Sequence, residues 1–141
     1  MERFKILPHV GVGPFLFGHA IKSQHKKYGL VRVSNEIETD GHWEEWESKD
    51  YSFEVTTVDG LIISWSTSCA ETYWAGIPLT GARISRVLAL MKSKGQPFSV
   101  NKIDDKISNI TFSDIGVVIF VVSGLVENIL VLCNSESDAH V

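Results

Sequence analysis

The sequence predicts an α+β domain, one antiparallel sheet of about five to six strands with two helices packed on one face. Three observations carry this expectation. Phe53 to Thr67 reads as a hairpin, two strand-like arms turning at Asp59-Gly60. Ala82 to Lys94 carries a single apolar stripe at helical spacing. Ile115 to Cys133 is almost continuously apolar but breaks at Ser123-Gly124 into two pieces of strand length. With 141 residues, 44% of them apolar and 21% charged, the chain suits one globular domain spanning residues 1–141.

Taken in order, Leu7 to Gly18 reads as a loop punctuated by Pro8, Gly11, Gly13, Pro14 and Gly18, with Val10, Val12, Phe15, Leu16 and Phe17 available to dock on a core. A helix is expected from His19 to Tyr28. Gly29 would stop it, and Lys26 and Lys27 sit in its last turn, where cations suit the helix dipole. The hairpin follows, with Leu61, Ile63 and Trp65 expected on one face, and Thr72 to Ile77 adds a third strand. Thr80 is the expected N-cap of the second helix. There Ile84, Val87, Leu88 and Met91 fall at i, i+3, i+4 and i+7, while Arg83, Arg86, Lys92 and Lys94 face away. Gly95 and Pro97 end it. Asn109–Ser113, Ile115–Val122 and Leu125–Cys133 complete the sheet. Helix, three strands, helix, three strands also reads as a pseudo-repeat of an α-then-β-meander unit.

Composition narrows the function classes. The opening Met1-Glu2-Arg3-Phe4-Lys5 lacks the basic, apolar, small-residue order of a secretory signal. Cys69 and Cys133 have no CxxC spacing and read as reduced core thiols. Both features point to the cytoplasm. The run from Ile115 to Cys133 is interrupted at Ser123-Gly124 and Glu127-Asn128 and is rich in Val and Ile. It therefore reads as two buried strands and not as a membrane span, which needs about 20 apolar residues.

Enzymatic signatures are missing: GxxxxGK[ST], GxGxxG between strand and helix, HExxH, GxSxG and metal-spaced Cys/His clusters. Gly11-Val12-Gly13 precedes a docking segment and follows no strand, so it reads as a turn and not as a phosphate loop. His9, His19, His25, His42 and His140 form no ligand set at helical spacing. The expectation is a protein that is not an enzyme and has no cofactor and no metal. Lys22, Lys26 and Lys27 are too few for a nucleic-acid stripe, so no direct nucleic-acid contact is expected.

Charge is the informative feature. Of 17 acidic residues, seven lie between Glu36 and Asp50 (Glu36, Glu38, Asp40, Glu44, Glu45, Glu47, Asp50), against Lys49 alone among the 13 Lys and Arg. The net charge of −4 is thus concentrated in one short piece. Within it stands Gly41-His42-Trp43-Glu44-Glu45-Trp46-Glu47. Either Trp43 and Trp46 are core anchors with the acids facing water, or they fill pockets on a partner while the carboxylates meet its basic surface. On the second reading the partner-binding residues are Glu38, Asp40, His42, Trp43, Glu44, Glu45, Trp46 and Glu47.

Gly11-Val12-Gly13-Pro14-Phe15-Leu16-Phe17-Gly18, followed by a short helix ending at Gly29, resembles the opening of small bacterial immunity proteins. These neutralise cognate toxins in contact-dependent growth inhibition and related systems. Asp59-Gly60-Leu61-Ile62, Leu79-Thr80-Gly81 and Ser123-Gly124-Leu125-Val126-Glu127 are similar to that family's turns and helix entry, while His19-Ala20-Ile21-Lys22 departs from its pattern. The resemblance implies an antitoxin-like protein that binds a toxin, a basic nuclease among the candidates, and blocks it by stoichiometric occlusion. Two other classes stay open: a scaffold or assembly module binding a partner through a sheet edge, and a small-ligand or catalytic domain using His42 with nearby carboxylates.

Overall fold

A computed structural model describes residues 3–50 and 52–133. The chain begins with β1 (Arg3–Leu7), β2 (Gly11–Val12), β3 (Phe15–Leu16) and a single helical turn, α1 (Lys22–His25). Six strands follow: β4 (Val31–Glu38), β5 (Gly41–Glu47), β6 (Glu54–Val58), β7 (Leu61–Thr67), β8 (Glu71–Trp74) and β9 (Ile77–Pro78). After α2 (Ile84–Ser93) come β10 (Ser99–Lys102), β11 (Ile107–Phe112), β12 (Val117–Val122) and β13 (Leu125–Leu132).

Eight strands form one antiparallel sheet in the order β10-β11-β12-β13-β7-β6-β5-β4. Five short ones form a second sheet, β3-β2-β1-β8-β9, in which β1 and β8 run parallel. This overturns the expected single sheet of five to six strands under two helices. The protein is mainly β: among the described residues strands far outnumber helix, and only α2 is longer than one helical turn. The α-then-meander pseudo-repeat fails with it, because three strands precede the first helical turn.

Local backbone bonding explains the shortened first helix. Gly18 N–H donates to Ile62 C=O at 2.8 Å, Ile62 N–H to His19 C=O at 2.9 Å, and Ile21 N–H to Gly60 C=O at 3.0 Å. These bonds hold residues 18–21 against the β6–β7 hairpin, with Ala20 bridged to Leu61. The helix starts only beyond them, and Gly29 at φ 59° ends the turn soon after.

The predicted third strand is split by a turn at Ala75-Gly76, and its first half, β8, leaves the meander to lie beside β1. Thr80 is not the N-cap of α2. Its hydroxyl donates to Ala70 C=O at 2.6 Å and accepts from Thr72 N–H at 2.9 Å, stitching the β9 exit to β8, while Arg83 occupies the cap position without a side-chain bond. The helical stripe behaves as expected: Val87 and Met91 are buried, and Ile84 and Leu88 pack beside them. The Asp59-Gly60 and Ser123-Gly124 turns have φ of 53° and 81°, and 51° and 80°. Positive φ at both central residues is the two-residue hairpin geometry that matches strand twist.

The core lies between the two sheets and under α2. Phe4, Phe15, Tyr28, Phe53 and Trp65 form one aromatic cluster, with Phe4 and Phe53 at 5.2 and 5.7 Å from Trp65. The apolar stretch read as two buried strands is β12 and β13, with Val117, Ile119, Val121, Val126, Ile129 and Val131 buried. Among the described residues no helix is long and apolar enough to cross a membrane. The cysteines are not core residues: Cys69 is exposed and Cys133 half-buried. Burial fades toward the end of the large sheet, and seven of the eight β4 residues are exposed.

Candidate functional site

The segment singled out by its charge is the β4–β5 hairpin, with Glu38 opposite Gly41 and Thr39-Asp40 as the turn. A strand sends successive side chains to opposite faces, and cross-strand partners share a face. The register therefore divides the eight predicted residues into two sets.

The outer face holds Trp43, Glu45 and Glu47. Trp43 lies between Glu36 and Val58, Glu45 between Ser34 and Thr56, and Glu47 between Val31 and Glu54. Glu38 and Asp40 join this face at the hairpin tip. Together with Ser34, Glu36, Trp43, Glu45 and Thr56 they line an open concavity of about 370 Å³. Trp43 is half-buried, and its indole N–H donates to Asp40 Oδ1 at 2.8 Å, which fixes the ring against the tip.

The inner face holds His42, Glu44 and Trp46. Glu44 is buried at 9% exposure and accepts from Arg32 Nη1 at 2.9 Å, so its charge is already paired. Trp46 donates from Nε1 to Thr57 Oγ1 at 3.2 Å and meets the His25 ring edge-on at 5.3 Å. It packs against the core as an anchor. The His42 ring is hydrogen-bonded to Asn35 Oδ1 and not to a carboxylate. Residues 38–47 are therefore not one patch: Glu38, Asp40, Trp43, Glu45 and Glu47 come together, and His42, Glu44 and Trp46 lie on the opposite side.

Two members of the outer face were missing from the predicted set. Glu36 joins through the hairpin register and Glu54 through the next strand. The signal for Glu36 was Asp40-Gly41, a turn-forming dipeptide in sequence although the turn itself falls one residue earlier, at Thr39-Asp40. A turn there makes the residues before it a strand with its own alternation. His140 lies outside the described residues.

The outer face gathers Glu36, Glu38, Asp40, Glu45, Glu47 and Glu54. Among the described residues the ion pairs are Arg3–Glu71 and Arg32–Glu44, and neither touches this set. Strand spacing and rise put neighbouring positions of the set about 5–7 Å apart. Repulsion leaves a mark on Glu54. Partial burial, a hydrogen bond with the Glu47 carboxyl, and the charges of Glu47 and Glu45 raise its pKa above the ordinary carboxylate value. A carboxyl with a raised folded-state pKa binds more protons folded than unfolded, so its contribution to stability falls as pH rises through that window. Glu54→Gln is therefore expected to raise neutral-pH stability by less than about 1 kcal/mol, as an exposed like-charge pair allows. It should also flatten the stability loss just above the ordinary carboxylate range. Urea midpoints across pH read both, and a destabilised variant with an unchanged pH profile would contradict this account of Glu54.

Two other concavities lie near the hairpin and its following turn. One of about 540 Å³ lies under the hairpin, lined by Ile21, His25, Glu44, Trp46, Asp59 and Leu61, but Glu44 is paired to Arg32 and Asp59 accepts from His42 N–H. Another of about 690 Å³ borders the β5–β6 turn. There Asp50 accepts from Ser52 Oγ at 2.6 Å, Ser48 Oγ at 2.9 Å and Ser52 N–H at 3.1 Å, and the two serine hydroxyls, Ser52 first, hold its pKa below the usual value. Those bonds are internal to the turn and account for its charge. Among the described residues no group of three His, Cys, Asp or Glu is arranged to hold a metal ion. No family model, no curated protein and no solved structure matches the chain.

Proposed function

We propose that the chain is a non-catalytic binding protein whose outer β4–β5–β6 face docks on a basic surface of a partner protein, and that it serves as an immunity protein. The observation that carries this reading is the set of six carboxylates facing one way with no cation among them. Uncompensated charge of this kind costs stability through self-repulsion, so it is the sort of feature that function retains. Opposite charge on the partner would relieve it and speed encounter. A toxin nuclease fits the chemistry, since a surface built to hold phosphates is basic, and carboxylates at comparable spacing occlude it stoichiometrically. Trp43, fixed by Asp40 at the rim, supplies the aromatic anchor that charge alone lacks. The similarity of residues 11–18 to immunity proteins supports the same class.

Capture tests it. The tagged chain, purified from the cells that encode it, is expected to bring down one basic polypeptide at about equal amounts, identified by mass spectrometry. That polypeptide should arrest growth when expressed alone and be harmless when co-expressed with this chain. An acidic partner, or one whose expression leaves growth untouched, would overturn the immunity reading.

A further inference from the structure

We infer that the partner adds a strand to the open edge of β4, with basic side chains facing Glu36 and Glu38. The inference rests on the basic-partner reading above and names how that partner is held. β4 is the last strand of the eight-stranded sheet and is eight residues long. Proteins usually shield such an edge by shortening it, placing Pro or Lys along it, or covering it. Here it carries no Pro or Lys. Its one irregularity falls between Arg32 and Ser34, which leaves residues 34–38 in regular register, and its charged side chains there are the acidic Glu36 and Glu38. Ile37, Val31 and Val33 are 86%, 59% and 49% exposed.

The direction of the free backbone groups follows from β5. His42 N–H donates to Asp59 Oδ1 at 2.9 Å, and His42 C=O accepts from Asp59 N–H at 2.9 Å, so both point toward β6 and away from β4. Ile37 lies opposite His42, and its own N–H and C=O therefore point to the open side, as do those of Asn35 two residues before. An incoming antiparallel strand would form its ladder on Asn35 and Ile37. The residue opposite Glu36 then sits in the closer, non-hydrogen-bonded pairing on the outer face, and the residue opposite Ile37 on the inner face. The matching segment alternates basic and apolar residues.

Charge argues for this occupant over a second copy of the chain. Pairing β4 with β4 would bring two sets of Glu36 and Glu38 onto one continuous outer face, which repels, whereas Lys or Arg there neutralises it.

The probe is an end-capped peptide of about seven residues alternating Lys and Val, long enough to span the regular part of the edge. Its binding should slow amide exchange at Asn35 and Ile37 by about tenfold or more, with smaller effects on the inner strands. Ile37→Pro removes a donor that no internal ladder uses, so the fold should persist and peptide affinity fall about tenfold or more. The same peptide N-methylated on its ladder-forming amides tests the edge without altering the protein, and it should bind equally poorly. Normal binding of that peptide, alongside loss of binding on Glu45→Lys with Glu47→Lys, would overturn strand addition while leaving the acidic face in place. Failure of the protein to bind the Lys-Val peptide at millimolar concentration, or equal binding of a Glu-Val peptide, would overturn both. Self-association in the absence of peptide, abolished by Ile37→Pro, would assign the edge to a second copy instead.

Discussion

Trp65→Ala is expected to cost about 3–5 kcal/mol of folding stability, the range for deleting a large buried aromatic side chain. Trp65 is 0% exposed at the middle of β7, the strand that joins the two halves of the large sheet. It pairs across the strands with Val55 on one side and Val131 on the other. Phe4 of the second sheet and Phe53 from the β5–β6 turn close over it. Alanine would leave a cavity bounded by both sheets, and neither can collapse without breaking ladder bonds. Against a typical total of about 5–15 kcal/mol, that loss is a third or more of the stability. Trp65→Phe should cost much less. Nε1 of Trp65 is buried with no hydrogen-bond partner among the described residues, so phenylalanine loses volume but also removes an unpaired donor. Urea unfolding at constant m-value measures both. Equal losses in the two variants would show that the indole nitrogen makes a bond that matters, and would contradict this account of the core.

The same residues show how far the sequence could be read. Where the pattern is local and one face is buried, expectation and structure agree: the turns at Asp59-Gly60 and Ser123-Gly124, the α2 stripe, and the strands on either side of Ser123. β4 and β5 were read only as an acidic segment: Val31, Val33 and Ile37 do alternate with polar residues, but charge dominates the stretch. The structure leaves all three apolar side chains exposed, so their alternation marks no core face. The second sheet was hidden for a different reason. Its central pairing joins Phe4 to Thr72, far apart in sequence, and parallel pairing leaves no hairpin signature. The candidate site was legible as composition but not as geometry. Eight residues chosen for their charge and aromaticity fall on two faces, because a strand alternates whatever its chemistry. Trp43 and Trp46, weighed as one pair, thus part company: Trp46 packs on the core, and Trp43 stands at the rim of the acidic face.

That division sets the charge-reversal experiment. Glu36→Lys, Glu45→Lys and Glu47→Lys together change the outer face alone. Association with the captured basic partner is expected to slow by about 10–100-fold at low salt, within the range of electrostatic steering. The deficit should shrink toward zero as salt shortens the screening length to about 3 Å near 1 M. Glu44 belongs outside this set. It lies on the inner face, buried and paired to Arg32, and Glu44→Gln should leave the association rate unchanged while lowering stability by breaking that pair. Reversing Asp105, Asp114 and Glu127, which are exposed and lie outside β4–β6, changes net charge by the same amount and controls for it. The triple variant should fold about as well as the parent, since all three positions lie on the outer face and the lysine replacing Glu47 meets Glu54 across the strands, so slower binding would not reflect unfolding. Slowing that is equal in the Asp105, Asp114 and Glu127 control would mean that overall charge, and not this face, guides the partner. A deficit that persists at high salt would mean that the three glutamates act through contacts other than steering. Only a salt-sensitive effect confined to the outer face fits a surface whose acids were left without partners because the partner brings the cations.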